Sequence, residues 1–354
     1  MTRAGSPEHP DLFDWPRVDV IIPVHDEAFQ IAGKVENLRH LHYPPERIRF
    51  WVVDGASRDA TGRIATKAFE EDPRFSLLEA GVADKTAQLN FALPRGDAEW
   101  ILVTDADARI PRDALEELVR EAMTTERTGA VGATVTPSRS HPWERLHWRI
   151  ADRARLREAA LGSASIVTGP CYLMRRGVVA TFPADVVADD VHVAFRSASA
   201  GLRNGFIAAD VAELRSPVSL GEMIPHKYRK ARAYLREIFR FLPRIGRMDA
   251  RVRWTFLRHA APMVVVPMAA AASLALLAGT AARAPWTTLE ATAACGVAAA
   301  LLSIRAIWRA RLGLAIMLTF ILLAAMFSLP FFGRRVPFPK VDARRPRIPE
   351  WDAS

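Results

Sequence analysis

The sequence predicts an α/β domain built on a mostly parallel sheet, followed by a membrane-associated helical segment. Three observations carry that prediction. Short apolar runs that suit buried strands alternate with stretches whose apolar residues recur at helical spacing. Glu27, Asp54 and Asp105 each stand at or just past the end of a different run, the edge of an open α/β sheet where ligands bind. Hydrophobicity is also uneven: residues 1–258 mix charged and apolar stretches, whereas 260–333 are mostly apolar.

Residues 1–16 are polar and Pro-rich, a tail with no apolar leader. A strand is expected over 18–24, then a helix over 29–41, a strand over 48–53 and a helix over 61–69. A shorter strand at 76–79, a helix at 85–93, a strand from Ile101, a helix over 111–123 and a strand over 130–135 come next. Between 138 and 161, arginines interleaved with Trp143, His147 and Trp148 predict a basic helix whose aromatic stripe is packing, with acceptor or membrane contact as the alternative.

The strand from Ile101 ends in Asp105-Ala106-Asp107. If it stays extended, both carboxylates point to one side. They repel there unless a cation lies between them, and a hard ion such as Mg²⁺ or Mn²⁺ suits two carboxylates. The alternative is a strand end whose aspartates begin a turn or cap the next helix. No Gly-x-Gly-x-x-Gly or Walker A sequence is present, so a bound diphosphate would need a metal and basic side chains. With two cysteines in 354 residues, Cys171 and Cys295, a disulfide framework or zinc site is excluded as the organising device.

Ile22-Pro23-Val24-His25-Asp26-Glu27, Val53-Asp54-Gly55-Ala56-Ser57-Arg58-Asp59, Asp84-Lys85-Thr86-Ala87-Gln88-Leu89-Asn90 and Asp105-Ala106-Asp107 succeed one another along the chain. In order and spacing they resemble the motifs of family 2 glycosyltransferases with a GT-A fold. Val167-Thr168-Gly169-Pro170, the Arg175-Arg176 pair and Asp189-Asp190 extend the resemblance, with Asp189 where the family has Glu and Gly55 where it has a second acidic residue. The resemblance implies a nucleotide-diphosphate sugar donor, with Pro23, Glu27, Asp54, Lys85, Asp105, Gly169, Asp189 and Arg229 against substrate. Glu27 and Asp54 would meet the base and ribose, and Asp105 with Asp107 would hold the metal. Asp190 would be the base that deprotonates the acceptor, with inversion at the anomeric carbon. The bland alternative for Asp189-Asp190 is a helix N-terminus, where the dipole favours acidic residues.

From 226 to 258 there are eleven Lys or Arg residues against Glu237 and Asp249, with Tyr228, Ala231, Leu235, Ile238, Phe239 and Leu242 at helical spacing. That is a basic amphipathic helix fit for a membrane surface. The formal net charge of +9 alone would also suit nucleic acid. The next stretches decide for the membrane and against nucleic acid: 260–282 and 312–333 are uncharged, and 284–304 is apolar apart from Glu290. Two or three C-terminal transmembrane helices are expected; the basic clusters do not choose between them.

The resulting division is a tail (1–16), a GT-A catalytic domain (17–225), an interfacial segment (226–258), transmembrane helices (259–333) and a basic Pro-rich tail (334–354). The expected setting is a multi-pass protein of a bacterial inner membrane, its catalytic domain on the cytoplasmic side, as the resemblance implies. His226-Lys227-Tyr228-Arg229-Lys230 resembles the family's Gln-x-x-Arg-Trp motif with His for Gln and Lys for Trp. Loss of that Trp removes an aromatic platform, which favours one sugar transferred to a lipid or lipid-linked acceptor over a polysaccharide synthase. The remaining alternative is a catalytically inactive nucleotide-binding membrane scaffold.

Overall fold

The computed structural model describes residues 14–283 and 306–329. Four strands, β1 (Val18–Val24), β2 (Ile48–Asp54), β3 (Phe75–Glu79) and β4 (Trp100–Thr104), alternate with helices α1 (Ile31–Arg39), α2 (Thr61–Phe69) and α3 (Lys85–Ala92). β1 pairs in parallel with both β2 and β4, and β2 with β3. Side chains alternate across the sheet: Val18, Val20, Ile22 and Val24 join the core under α1 and α2, while Ile21 faces the other core with Val53, Leu89 and Val103. Both faces are therefore covered, and these strands read as apolar runs with little alternation.

The chain continues through β5 (Ala108–Arg109), α4 (Ala114–Met123), β6 (Thr128–Pro137), α5 (Pro142–Ala160), β7 (Cys171–Arg175), α6 (Asp189–Ser199) and β8 (Arg203–Glu213). The eight-stranded sheet has the order β3-β2-β1-β4-β7-β6-β8-β5. It is mixed, which corrects the expectation of a mostly parallel sheet: β7 runs antiparallel to both β4 and β6, and β5 antiparallel to β8. An apolar run carries no mark of direction, and the α5 connection resembles a parallel crossover in sequence. α5 forms as expected, but its inward face is polar: Asp152 accepts from Val135 N at 3.0 Å and Glu158 from Ser165 N at 2.9 Å.

The basic segment expected over 226–258 is two helices, α7 (Leu220–Phe241) and α8 (Ala250–Arg283), separated by a 3-10 stretch, Leu242–Arg247. α7 begins earlier than the amphipathic pattern suggested because Ser219 caps it: Ser219 Oγ accepts from Glu222 N, and Glu222 Oε2 accepts from Val218 N. The boundary placed at 225/226 thus falls inside a helix. Pro243 and Gly246 lie in the break, where a missing N–H and a flexible backbone end the α-helical ladder. Among the described residues one helical stretch, Ala250–Ser273, is long and apolar enough to cross a bilayer; Leu312–Ser328 is a shorter apolar stretch. The latter belongs to α9 (Ala306–Ser328), which packs Ile321 and Ala325 on Ala231 and Leu235 of α7. The span expected at 284–304 lies outside the described residues.

α7 is fastened to α5 by a buried ion pair, Lys227 Nζ to Glu144 Oε2 at 2.8 Å, with Glu144 wholly inaccessible. Removing one partner strands a buried charge, whereas removing both does not. Glu144→Leu or Lys227→Met alone is expected to lower the unfolding free energy by about 3–5 kcal/mol, and the double replacement by clearly less. Urea unfolding of the three variants checks this, and additive losses would contradict it.

Candidate active site

The ends of β1, β2 and β4 meet loops whose backbone groups are tied by their own polar side chains. After β1, Asp26 adopts a left-handed conformation (φ 54°), which a short acidic side chain tolerates; its Oδ1 accepts from Arg58 N at 2.8 Å. Glu27 follows, buried, with its N–H donating to Thr61 Oγ1 at 2.7 Å. After β2, Asp54 Oδ1 accepts from Ser57 N at 3.0 Å and Ser57 Oγ at 2.6 Å. At Gly55 a Cβ would collide with the Gln88 side-chain amide and lie 2.6 Å from the Val82 carbonyl oxygen. Gln88 Nε2 is held there by donating to Val24 O at 2.6 Å. The acidic residue missing at 55 thus has a steric cause, because no side chain fits.

Asp105 and Asp107 do not continue a strand. The Ala108 N–H donates to Asp105 O at 3.1 Å and closes a four-residue turn, with the two carboxylates at its first and third positions. The turn leads into β5, paired with the end of β8 (Ala108 opposite Glu213), and so brings Arg215 into the site. Arg215 donates through Nε to Asp107 Oδ2 at 2.8 Å and through Nη2 to Glu27 Oε1 at 2.6 Å. Across the turn, Lys85 Nζ lies 2.8 Å from Asp105 Oδ1 and 3.1 Å from Asp189 Oδ2. Lys85 opens α3, which is capped by Asp84 accepting from Ala87 N at 2.9 Å. Asp189 and Asp190 open α6, and the Tyr172 hydroxyl donates to Asp189 Oδ2 at 2.8 Å. Gly169 stands beside Asp190: a Cβ there would lie 3.4 Å from Asp190 Oδ2.

These groups line one cavity of about 430 Å³. Pro23, Glu27, Lys85, Asp105, Asp107, Gly169, Asp189, Asp190 and Arg229 all border it; Asp54 sits at the same sheet edge but outside its lining. Trp148, Arg155, Glu213, Lys230 and Tyr234 also line the cavity, with Lys230 Nζ 5.3 Å from the Trp148 ring. Sequence reasoning missed Arg215 and Glu213. It identified no strand after 135; for β8, register shifts against β6 break the alternation, and Phe206-Ile207 and Val211 were the available signal.

Crowded carboxylates set the electrostatics. Burial, then the charge of Asp189, pushes Asp190 up to about 6 against the pull of Lys85 and Lys230. Burial also raises Asp105, opposed by Lys85 and reinforced by Asp107 and Asp189. Glu213 is pushed up to about 7, mainly by burial and against Lys230. Burial works against the Lys85 ammonium, yet Asp105 and Asp189 hold it well above the ordinary lysine value. The ion pairs occupy Asp105 Oδ1 and Asp107 Oδ2 and leave the second oxygen of each carboxylate. Two hard oxygen donors without His or Cys suit Mg²⁺ or Mn²⁺. Among the described residues no group of three or more His, Cys, Asp or Glu side chains could hold a metal. Arg215 Nη1, buried and without a hydrogen-bond partner among the described residues, offers an N–H for an anion beside that position.

Residues 19–182 match the sequence profile described as Glycosyl transferase family 2. That match assigns residues 19–182 to glycosyltransferase family 2. An N-acetylglucosaminyltransferase of Rhizobium sp. (strain N33) is 26% identical over 302 residues, 79% of this chain and 66% of the relative. A UDP-forming cellulose synthase catalytic subunit of Komagataeibacter sucrofermentans is 25% identical over 270 residues, 70% of this chain and 34% of the relative. The chain thus spans about two thirds of the first relative and one third of the second. Among solved structures, a mannosyltransferase from Pyrobaculum calidifontis in complex with GDP-Man and Mn²⁺ superposes with a TM-score of 0.71. It is 27% identical, and the match covers 89% of this chain and 87% of that one. Staphylococcus aureus TarS with UDP shares the fold at a TM-score of 0.50 and 16% identity, over 71% of this chain and 75% of that one. The family 2 domain here is GT-A-like, with a mixed sheet.

Proposed function

We propose that this chain transfers one sugar from a nucleotide-diphosphate sugar to a lipid or lipid-linked acceptor, with inversion at the anomeric carbon and with Mg²⁺ or Mn²⁺. The observation that carries the reading is that a single cavity joins the Asp105–Asp107 turn to Asp190, with Lys85 bridging the two. Asp105 and Asp107 would hold the divalent cation, which would supply positive charge to the leaving diphosphate. Arg229 and Arg215 face the same phosphates as fixed cations. Pro23, Glu27 and Asp54 border the nucleoside end, and Gly169 leaves room for the sugar beside Asp190. Asp190 takes the acceptor hydroxyl proton as the oxygen attacks the anomeric carbon and the diphosphate leaves. Asp189, held by Lys85 and Tyr172, keeps α6 and its base in place and helps raise Asp190 toward working pH. The Pyrobaculum structure, solved with a nucleotide sugar and Mn²⁺, supports the donor and the metal.

A membrane-side acceptor is supported by α7, which lines the cavity, and by the segment that follows it. Phe239, Leu242, Trp254 and Leu257 expose apolar surface along them, interleaved with the exposed Arg244, Arg247, Arg251 and Arg253. Basic and apolar residues mixed in this way suit an anionic lipid surface, and the candidate span Ala250–Ser273 continues from it. The reading therefore includes a multi-pass bacterial inner-membrane protein, its catalytic domain (17–225) cytoplasmic and 259–333 in the bilayer. Lys230, in place of an aromatic platform, favours single transfer over chain extension.

Purified full-length protein with membrane lipid extract and labelled UDP- and GDP-sugars is expected to label a lipid fraction. Chelation, or Asp105→Ala with Asp107→Ala, should abolish that labelling; transfer that survives both treatments contradicts the metal role. Asp190→Asn is expected to bind donor and to transfer at least ~100-fold more slowly, and unchanged turnover removes Asp190 from the mechanism. A base must be ionised to act. With Asp190 at about 6, kcat/KM should climb as pH rises through about 6 and fall away below it. A profile flat down to pH ~4, the ordinary aspartate range, would contradict that assignment.

A further inference from the structure

The face of α1 that meets the Asp105–Asp107 turn is polar where a buried helix would ordinarily be apolar. Ile31, Val35 and Leu38 fill the core as the pattern requires, yet Lys34 between them is fully inaccessible. Its Nζ donates to Thr104 Oγ1 at 2.8 Å and to Ala108 O at 2.9 Å, the residues immediately before and after the segment that carries Asp105 and Asp107. One helical turn on, Asn37 donates to Ile110 O at 2.8 Å and accepts from Ile110 N at 2.9 Å. At the start of the helix, Gln30 Oε1 accepts from Arg109 Nη2 at 3.2 Å, while Arg109 Nη1 donates to Ala106 O at 3.0 Å. Three side chains at helical spacing thus grip the turn along its length.

The grip reaches the other half of the site. The Thr104 hydroxyl donates to Pro170 O at 2.9 Å, and the Asp105 N–H donates to the same oxygen at 3.1 Å. Pro170 follows Gly169, which stands against Asp190. Burying a lysine is costly unless it is well partnered. Both acceptors of Lys34 are neutral oxygens, and no carboxylate forms an ion pair with it among the described residues. For the core alone, an apolar residue would serve better there.

We propose that Lys34 is a positioning residue for the divalent cation and diphosphate: it fixes the turn bearing Asp105 and Asp107, and through Thr104 sets that turn against the loop beside Asp190. This rests on the metal role proposed above. Burial, with the charge of Arg109, pushes the Lys34 ammonium down to about 7; the neutral amine keeps two N–H groups for the same two acceptors.

The test is Mn²⁺ binding to the full chain in detergent, read by electron paramagnetic resonance of free Mn²⁺ with UDP or GDP present, alongside thermal unfolding. Lys34→Met keeps the length and loses the donors. Its half-saturating Mn²⁺ concentration is expected to rise ~10–100-fold, as when a partner that orients a metal ligand is lost. Its unfolding temperature should hold or rise, because an apolar side chain replaces a buried amine. Lys34→Gln, which retains an N–H₂ donor, should recover part of the binding. Wild-type Mn²⁺ affinity in Lys34→Met overturns the proposal. If Lys34→Met does not fold, Asn37→Ala, which releases only Ile110, is expected to weaken Mn²⁺ in the same direction, and wild-type affinity there overturns it. A wild-type protein that takes up no Mn²⁺ overturns the metal role itself, so the two failures are distinguishable.

Discussion

The site depends on one ammonium placed between two acidic groups. Glu27, Asp105, Asp107, Asp189 and Asp190 border a single cavity. Two like charges 4 Å apart repel by about 4 kcal/mol at an effective dielectric of 20. Lys85 answers this on one side by bridging Asp105 to Asp189, and Arg215 on the other by bridging Asp107 to Glu27. Each bridge joins elements far apart in sequence, so the charge balance also fixes the geometry. The parallel strands bring carboxylates to one edge, and the two cations hold them there.

Much of this was legible in the sequence, for physical reasons. Strands buried on both faces leave apolar runs, and Val18–Val24 and Trp100–Thr104 appeared where expected. Acidic residues at strand ends marked from the residue order alone one sheet edge, where Glu27 and Asp105 border the cavity. Strand direction left no such trace, and β7 was not expected as a strand at all, since in sequence its residues resemble a loop before the Arg175-Arg176 pair. The Asp105–Asp107 segment was expected either extended or turning, and backbone hydrogen bonding chose the turn. Gly55 was visible as a departure from the family pattern, but its cause, the Gln88 amide in the place of a Cβ, exists only in three dimensions. Arg215 lies 108 positions from the aspartate it pairs with. No local pattern could have announced that contact.

The C-terminal helical part follows a different logic. Its helices carry the chain's basic surface outward, while buried pairs such as Lys227 with Glu144 tie them to the domain. The cavity lies between the two halves: donor-side groups come from sheet edges, whereas Arg229, Lys230 and Tyr234 come from α7. A movement of α7 would therefore reach Arg229 and the surroundings of Asp190 together. That coupling makes α7 part of the site.

The balancing role of Lys85 in the acidic cluster has a direct measurement: the acid limb of kcat/KM against pH in Lys85→Met compared with wild type. Lys85 lowers the Asp190 carboxyl, so its loss must raise it. A limb displaced to higher pH than the wild-type value near 6 is expected, and an unmoved limb would contradict the charge balance.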